Sequence, residues 1–214
     1  MSESPPHDPE RFSQPDLPEV IATRKDALVG INFRKRLIHF LQILRKQGLR
    51  LTLIESIEQM TRLATGAPSR RYSVIAPNLH VGGQHTRRGL DRLGQRGVTA
   101  VISLRGELDD RERGLAPARY LYLPTVDNHA PTLEQLQTGV DFIQEELAAG
   151  GAVYIHCWEG VGRAPTLTAA YLVSAGLSPD EAWARISRVR PFIRPVTSQL
   201  EQIEHFAALN APDR

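Results

Sequence analysis

Cysteine is nearly absent from this chain: one residue in 214, Cys157. A single thiol cannot build a disulfide framework, so the stability of a small secreted scaffold is excluded and a reducing compartment is expected. It also leaves no second thiol to rescue an oxidised Cys157 as an internal disulfide. Lysine is scarce too, with Lys25, Lys35 and Lys46 as the only examples among 26 basic residues. No apolar run approaches the roughly 18 residues of a spanning helix, and residues 1–20 carry no secretory pattern. A cytoplasmic protein, at most peripheral to a membrane, is the expectation. Excess charge is missing as well: the net value of +2 is too small to imply a nucleic-acid partner by itself. Hydrophobic content of 41% and charged content of 23% are those of an ordinary folded domain.

What is present changes along the chain. Residues 1–27 are rich in proline, serine and acids and read as a disordered tail. Residues 28–68 read as a helical extension. Phe33, Leu37, Phe40, Leu41, Leu44, Leu53, Ile57 and Met60 recur at helical spacing among basic residues, and Gly48 divides the stretch into two helices. From Arg24 to Arg50 eight basic residues face one acid, Asp26. Such a segment can lie on an anionic membrane through residues 28–50; the reading favoured is that its apolar stripe packs on the domain that follows.

Residues 69–214 alternate strand and helix patterns. Strands are expected at Tyr72–Ala76, Leu79–Val81, Val98–Leu104, Arg119–Leu123 and Ala152–His156. Helices are expected at Thr86–Arg96, Thr132–Ala148 with Thr132 as N-cap, Arg163–Ala175, Pro179–Arg190 capped by Ser178, and from Pro195 to about Ala208. The alternation implies an α/β fold, a central mostly parallel sheet flanked by helices. In such sheets ligands bind at the carboxyl ends of strands, which is where Cys157 falls.

The segment His156-Cys157-Trp158-Glu159-Gly160-Val161-Gly162-Arg163 puts a thiol between a strand and a helix across a loop with two glycines. Its backbone N–H groups and the helix N-terminus would converge on an anion. Arg163 can clamp two of that anion's oxygens, and the same positive surroundings favour the thiolate. Five residues separate Cys157 from Arg163, and the spacing resembles the His-Cys-x5-Arg signature of the cysteine-dependent protein tyrosine phosphatases, within them the bacterial dual-specificity branch. Ile75–Gly83 resembles that family's opening hairpin, and Arg190–Pro195 the turn before its last helix. A free cysteine closing a buried strand is the bland alternative; sulfur transfer is another, argued against by the five-residue gap.

The resemblance implies a dual-specificity-phosphatase-like fold and hydrolysis of phosphomonoesters through phosphocysteine, with no cofactor and no metal. A phosphorylated protein or a small phosphomonoester would be the substrate. A phospholipid or inositol-phosphate phosphatase on the same scaffold is the rival, and a phosphate-binding pseudophosphatase a further one. Cys157 would be the nucleophile. Arg163 and the N–H groups of Trp158, Glu159, Gly160, Val161, Gly162 and Arg163 would bind phosphate. His156 would buttress the loop from the opposite face of its strand. Asp127, in a loop between strand and helix, would be the general acid. Asp109 and Asp110 are its competitors, in a run that reads as a solvated charged loop, and His129 is a third. Trp158 has two open uses, stacking on an aromatic substrate or covering the loop. Arg87, Arg88, Arg105 and Arg194 read as solvated surface. One position departs from the family: Ala164 stands where Ser or Thr commonly follows the arginine, which implies slow breakdown of the phosphoenzyme.

Overall fold

The computed structural model describes residues 48–210. The tail and the first helix expected in the extension lie outside the described residues. The described chain begins with Gly48 and a 17-residue helix, α1 (Leu49–Thr65). An antiparallel pair, β1 (Val74–Ala76) and β2 (Leu79–Gly82), follows, then helix α2 (Arg87–Gly94). Next come β3 (Ala100–Arg105), β4 (Arg119–Thr125), α3 (Leu133–Ala148) and β5 (Val153–His156). Three helices close the chain: α4 (Arg163–Ser174), α5 (Pro179–Val189) and α6 (Thr197–Leu209).

The five strands form one sheet in the order β1-β2-β5-β3-β4, parallel except for β1. β3 and β5 are buried at every position, as near-continuous apolar runs must be when a parallel sheet is covered on both faces. Alternation then sorts their side chains. Ala100, Ile102, Leu104, Val153 and Ile155 join Leu136, Val140, Leu167, Ile186 and Ile203 of α3–α6 in the larger core. Val101 and Tyr154 turn to the other face, with Leu93 and Tyr120.

Local signals set the helix starts. Thr132 and Gln135 close a capping box on α3, and Ser178 and Glu181 close another on α5. Thr86 caps α2 by accepting from the Gly89 N–H.

α1 runs against the sequence expectation. Its buried residues are Thr52, Glu55, Glu58 and Arg62, while Leu49, Leu53, Ile57, Met60 and Leu63 are exposed. The polar side packs on the domain because it meets fixed partners there. Glu55 pairs with Arg194 at 2.6 Å, and Glu58 accepts from the Ser69 hydroxyl at 2.6 Å and lies 3.8 Å from Arg190. Arg62 donates to the Gln84 carbonyl at 2.7 Å. The apolar stripe expected to cover the domain faces outward.

Candidate active site

Three parallel strands deliver the candidate residues from their carboxyl ends: β3 runs into Glu107, β4 into Asp127, and β5 into Cys157 and the loop to Arg163. Because the strands are in register (Ile102 beside Ile155, Ser103 beside His156), their last residues reach the same level of the sheet.

The alternation of β5 also separates its last two side chains. Cys157 belongs to the larger core face and is 3% exposed. His156 lies on the opposite face, stacked on Tyr154 at 5.7 Å. Burial alone would fit an inert core thiol. What distinguishes this one is the Gly160 N–H, 3.3 Å from its sulfur, at the foot of a loop that folds over it.

That loop is held from outside by its carbonyl oxygens. Gln84 N–H donates to the Trp158 carbonyl at 3.0 Å and Arg194 N–H to that of Val161 at 2.7 Å. Arg190, 1% exposed, donates to the carbonyls of Glu159 at 2.9 Å and Gly160 at 2.6 Å. With these carbonyls engaged outside the loop, the Gly160 N–H is left to the Cys157 sulfur. Gly160 is required twice over: its φ is +73°, and a Cβ there would lie 2.3 Å from the Gly82 carbonyl. Gly162 has no such φ; its bare Cα leaves room for the Gln199 amide, 3.0 Å from where a Cβ would sit.

Arg163 is 2% exposed, and both terminal nitrogens of its guanidinium have partners. Glu107 accepts from both terminal nitrogens, at 2.8 and 3.3 Å, and the Thr125 carbonyl accepts at 2.8 Å. Asp127 lies 3.1 Å from the second terminal nitrogen. Burial pulls the Arg163 pKa down, but Glu107, with the charges at Cys157 and Asp127, raises it overall. For Glu107 burial pushes up, and the Arg163 hydrogen bonds and charge, with Arg105, leave its carboxyl below the usual range. Asp127 is half-exposed, and its loop is anchored to α6, where Gln199 donates to the His129 carbonyl and Gln202 to that of Pro131, both at 2.9 Å.

Behind the loop is a buried polar network that the sequence reading misplaced. Asp110 is 0% exposed rather than solvated. His156 Nε2 donates to it at 2.8 Å and the Gln84 amide at 3.0 Å. Burial pushes Asp110 up, and the His156 hydrogen bond and charge, then His85 and Gln84, bring it below the usual range. His85 packs edge-on to His156 with ring centroids 5.0 Å apart and donates to the Leu115 carbonyl at 2.9 Å. Burial, then the charge of His156, lowers its pKa to about 4. Asp110 is thus tied behind the loop, 46 residues from His156, while Asp127 shares Arg163 with Glu107. His129 hydrogen-bonds its own loop, its ring against the Asp127 carbonyl at 3.0 Å.

Among the described residues, His85, Asp110 and His156 are also the group whose donor atoms, all within 4.8 Å, could hold a metal ion. Asp110 engages His156 Nε2 and the Leu115 carbonyl engages His85 Nε2, while His85 Nδ1 is buried without a hydrogen-bond partner.

Two further expectations are corrected. Arg105 is 8% exposed rather than surface; it donates to Gln84 at 2.8 Å and lies 4.6 Å over the Trp158 ring. Trp158 is 41% exposed, and its ring has Arg62 at 5.9 Å as well. Arg194 bridges Glu55 and Glu159, at 2.6 and 3.5 Å.

The matches to known proteins fall on this architecture. A family model described as "Polymorphic toxin system, DSP-PTPase phosphatase" matches residues 79–177, from β2 through the Cys157 loop and α4. The chain is 37% identical over 118 residues to Phosphatidylglycerophosphatase and protein-tyrosine phosphatase 1 of Mus musculus, covering 51% of this chain and 61% of that protein. The crystal structure of PTPMT1 superimposes with a TM-score of 0.59 at 31% identity, over 65% of this chain and 95% of that one. The chain belongs to the cysteine-dependent protein tyrosine phosphatase superfamily. Another phosphatase of the superfamily, Dual specificity protein phosphatase 1 of Homo sapiens, is 30% identical over 134 residues, 62% of this chain and 36% of that protein. The chain thus spans less than two thirds of the length of these two curated phosphatases.

Proposed function

We propose that this chain is a phosphomonoester hydrolase of the protein-tyrosine and dual-specificity type, working through phosphocysteine at Cys157. The observation that supports the reading is the meeting of three strand ends: the Cys157 sulfur under the Gly160 N–H, and the Arg163 guanidinium at the other end of the same loop held by Glu107 and Asp127. The roles follow from chemistry. Cys157 attacks phosphorus as thiolate, an S–P bond forms and the P–O bond to the leaving group breaks. The equatorial oxygens lie against the N–H groups from Trp158 to Arg163 and the guanidinium. A protonated Asp127 gives its proton to the departing oxygen. Water then attacks phosphorus, Asp127 takes its proton, and the S–P bond breaks to return thiolate and inorganic phosphate.

Arg163 reaches substrate by exchanging partners. Its contact with Asp127 yields to a phosphate oxygen, and the same step frees Asp127 for the leaving group. Glu107 keeps the rest of the fork in place, and His156, held by Asp110, braces the strand end behind the sulfur.

The substrate is a monoester with one phosphate to bind. Between Cys157 and Arg163 the loop holds no lysine or arginine, and the Glu159 carboxylate faces Arg194, which disfavours a densely phosphorylated inositol ring. A phospholipid monoester is the second reading, favoured by similarity to the mouse phosphatidylglycerophosphatase. Peripheral membrane contact would use the basic residues of 28–50, most of which lie outside the described residues; no helix among the described residues is long and apolar enough to cross a membrane.

Turnover of para-nitrophenyl phosphate with chelator present tests the reaction class. Cys157→Ser should abolish it while phosphate-analogue binding survives; activity retained in that variant overturns the mechanism. A panel of phosphotyrosine, phosphoserine and phosphatidylglycerophosphate substrates separates the two readings. Sedimentation with anionic vesicles decides the membrane contact.

A further inference from the structure

The catalytic roles assigned above make no use of α1. Its buried charged residues, Glu55, Glu58 and Arg62, nevertheless converge on the Cys157 loop. They stand three and four residues apart, so they share one face of the helix. Each reaches the loop through one intermediary.

Glu55 pairs with the Arg194 side chain at 2.6 Å. Arg194 also meets the Glu159 carboxylate at 3.5 Å, and its N–H donates to the Val161 carbonyl at 2.7 Å. Glu58 lies 3.8 Å from Arg190, which donates to the Glu159 and Gly160 carbonyls at 2.9 and 2.6 Å. Arg62 donates to the Gln84 carbonyl at 2.7 Å, and the Gln84 N–H donates to the Trp158 carbonyl at 3.0 Å. The carbonyls of successive residues from Trp158 to Val161 are thus held by Gln84, Arg190 and Arg194, and α1 contacts all of these holders.

The surroundings are shaped for this contact. A Cβ on Gly83 would lie 2.8 Å from the Trp158 carbonyl, 3.0 Å from Arg62 Nε and 3.1 Å from the Glu159 carbonyl, so the bare Cα lets α1 and the loop close on each other. The carboxyl end of α1 is fixed against α2. The Thr86 N–H donates to the Gly66 carbonyl at 2.9 Å, and Arg92 donates to that of Thr65 at 2.9 Å. Burial draws the Arg190 guanidinium below its ordinary value, and the Glu58 charge is the first of the groups that oppose this. Arg190 is 1% exposed and Glu58 2%, and a buried charge suffers most when its partner is removed.

We propose that α1 is a brace for the phosphate loop, and that Glu55, Glu58 and Arg62 are positioning residues which fix the loop backbone through Arg194, Arg190 and Gln84. The effect on turnover rests on the phosphatase reading of Cys157; the effect on the shape of the loop does not.

The test uses the full-length chain carrying Glu55→Gln, Glu58→Gln or Arg62→Gln. A remote change that misplaces the reacting groups by about 1 Å can cost about 100-fold in rate. In each variant kcat/KM for para-nitrophenyl phosphate should fall by about 10- to 100-fold, with the affinity for inorganic phosphate weakened as well. Glu55→Asp, Glu58→Asp and Arg62→Lys keep the charges and should retain more activity; they carry the test wherever a Gln variant does not fold. A role confined to stability would lower the urea midpoint and leave kcat, KM and phosphate affinity of the folded protein unchanged, and that result overturns the brace.

A second readout needs no turnover. The chain has two tryptophans, so Trp183→Phe leaves Trp158 as the single indole, on the loop itself. Arg62 lies over that ring at 5.9 Å, so Glu55→Gln and Glu58→Gln are the changes to compare. Each should alter the Trp158 emission or its quenching by acrylamide. If the native chain hydrolyses no phosphomonoester, the phosphatase reading falls and this readout decides the brace alone; emission and quenching identical to the Trp183→Phe parent overturn it.

Discussion

Glu107 is predicted to be the residue whose loss most cleanly separates holding Arg163 from contacting substrate. Its carboxylate receives both terminal nitrogens of a guanidinium that is 2% exposed. A charge-assisted hydrogen bond is worth about 1.5–3 kcal/mol net, and breaking a fully buried ion pair costs about 3–5 kcal/mol. The Glu107 side chain is 24% exposed, so water screens part of the loss. The Thr125 carbonyl and Asp127 remain as partners of Arg163. A net cost of about 2 kcal/mol in Glu107→Ala follows from those two ranges. If all of it appears in the transition state, kcat/KM for para-nitrophenyl phosphate falls by about 30-fold, at 1.36 kcal/mol per decade. Glu107→Gln keeps one acceptor and should lose less. Urea unfolding at pH 7 measures how much of the cost is global stability instead. Glu107→Ala with unchanged kcat/KM and unchanged stability would refute the claim that this carboxylate holds the arginine.

Other outcomes follow from the same geometry. Ala164 is fully buried, and the Thr166 hydroxyl bonds back to the Gly162 carbonyl at 3.0 Å rather than turning to the sulfur. Phosphoenzyme breakdown should therefore be slow, giving a burst of product on rapid mixing that Ala164→Ser shortens; a linear course in the native chain argues otherwise. His85, lowered from 6.5 to about 4, makes the unfolded state bind the extra proton between those values. Its contribution is complete above about pH 6.5 and is lost as pH falls toward 4, by about 3 kcal/mol at 1.36 kcal/mol per unit. Urea midpoints at pH 7 and pH 4.5 measure this, and no difference between them would contradict the burial assigned to His85. Lastly, a small alkylating reagent should modify Cys157 more slowly when inorganic phosphate is present; indifference to phosphate would place the thiol outside the anion seat.

The Cys157 loop was legible because its parts are contiguous: thiol, glycines, arginine and the first helical turn lie within a few residues of one another. The mostly parallel sheet was legible in kind, since strand and helix patterns alternate along the chain, but the order of its strands was not. Glu107 was not, because its partner is 56 residues away and nothing local marks a bidentate pairing. Asp110 was misread for the opposite reason. Asp109-Asp110-Arg111-Glu112-Arg113 has the composition of a solvated loop, yet a short 3-10 turn at Asp110–Arg113 swings one carboxylate inward to His156 while Arg111, Glu112 and Arg113 stay exposed. α1 failed by inversion: the pattern located the helix, but the periodicity of its apolar residues could not say that Glu55, Glu58 and Arg62 have their partners on the domain. Arg190 was seen only as part of a familiar turn; that it draws two loop carbonyls outward depends on packing no sequence period records.

The most direct measurement is acid quenching of a reaction with para-nitrophenyl phosphate, followed by peptide mass analysis of the segment that carries Cys157. A phosphoryl group on that sulfur, accumulating before the steady state and absent from Cys157→Ser, is the predicted result. Turnover without any phosphorylated Cys157 peptide, at times when product is already forming, would contradict the account.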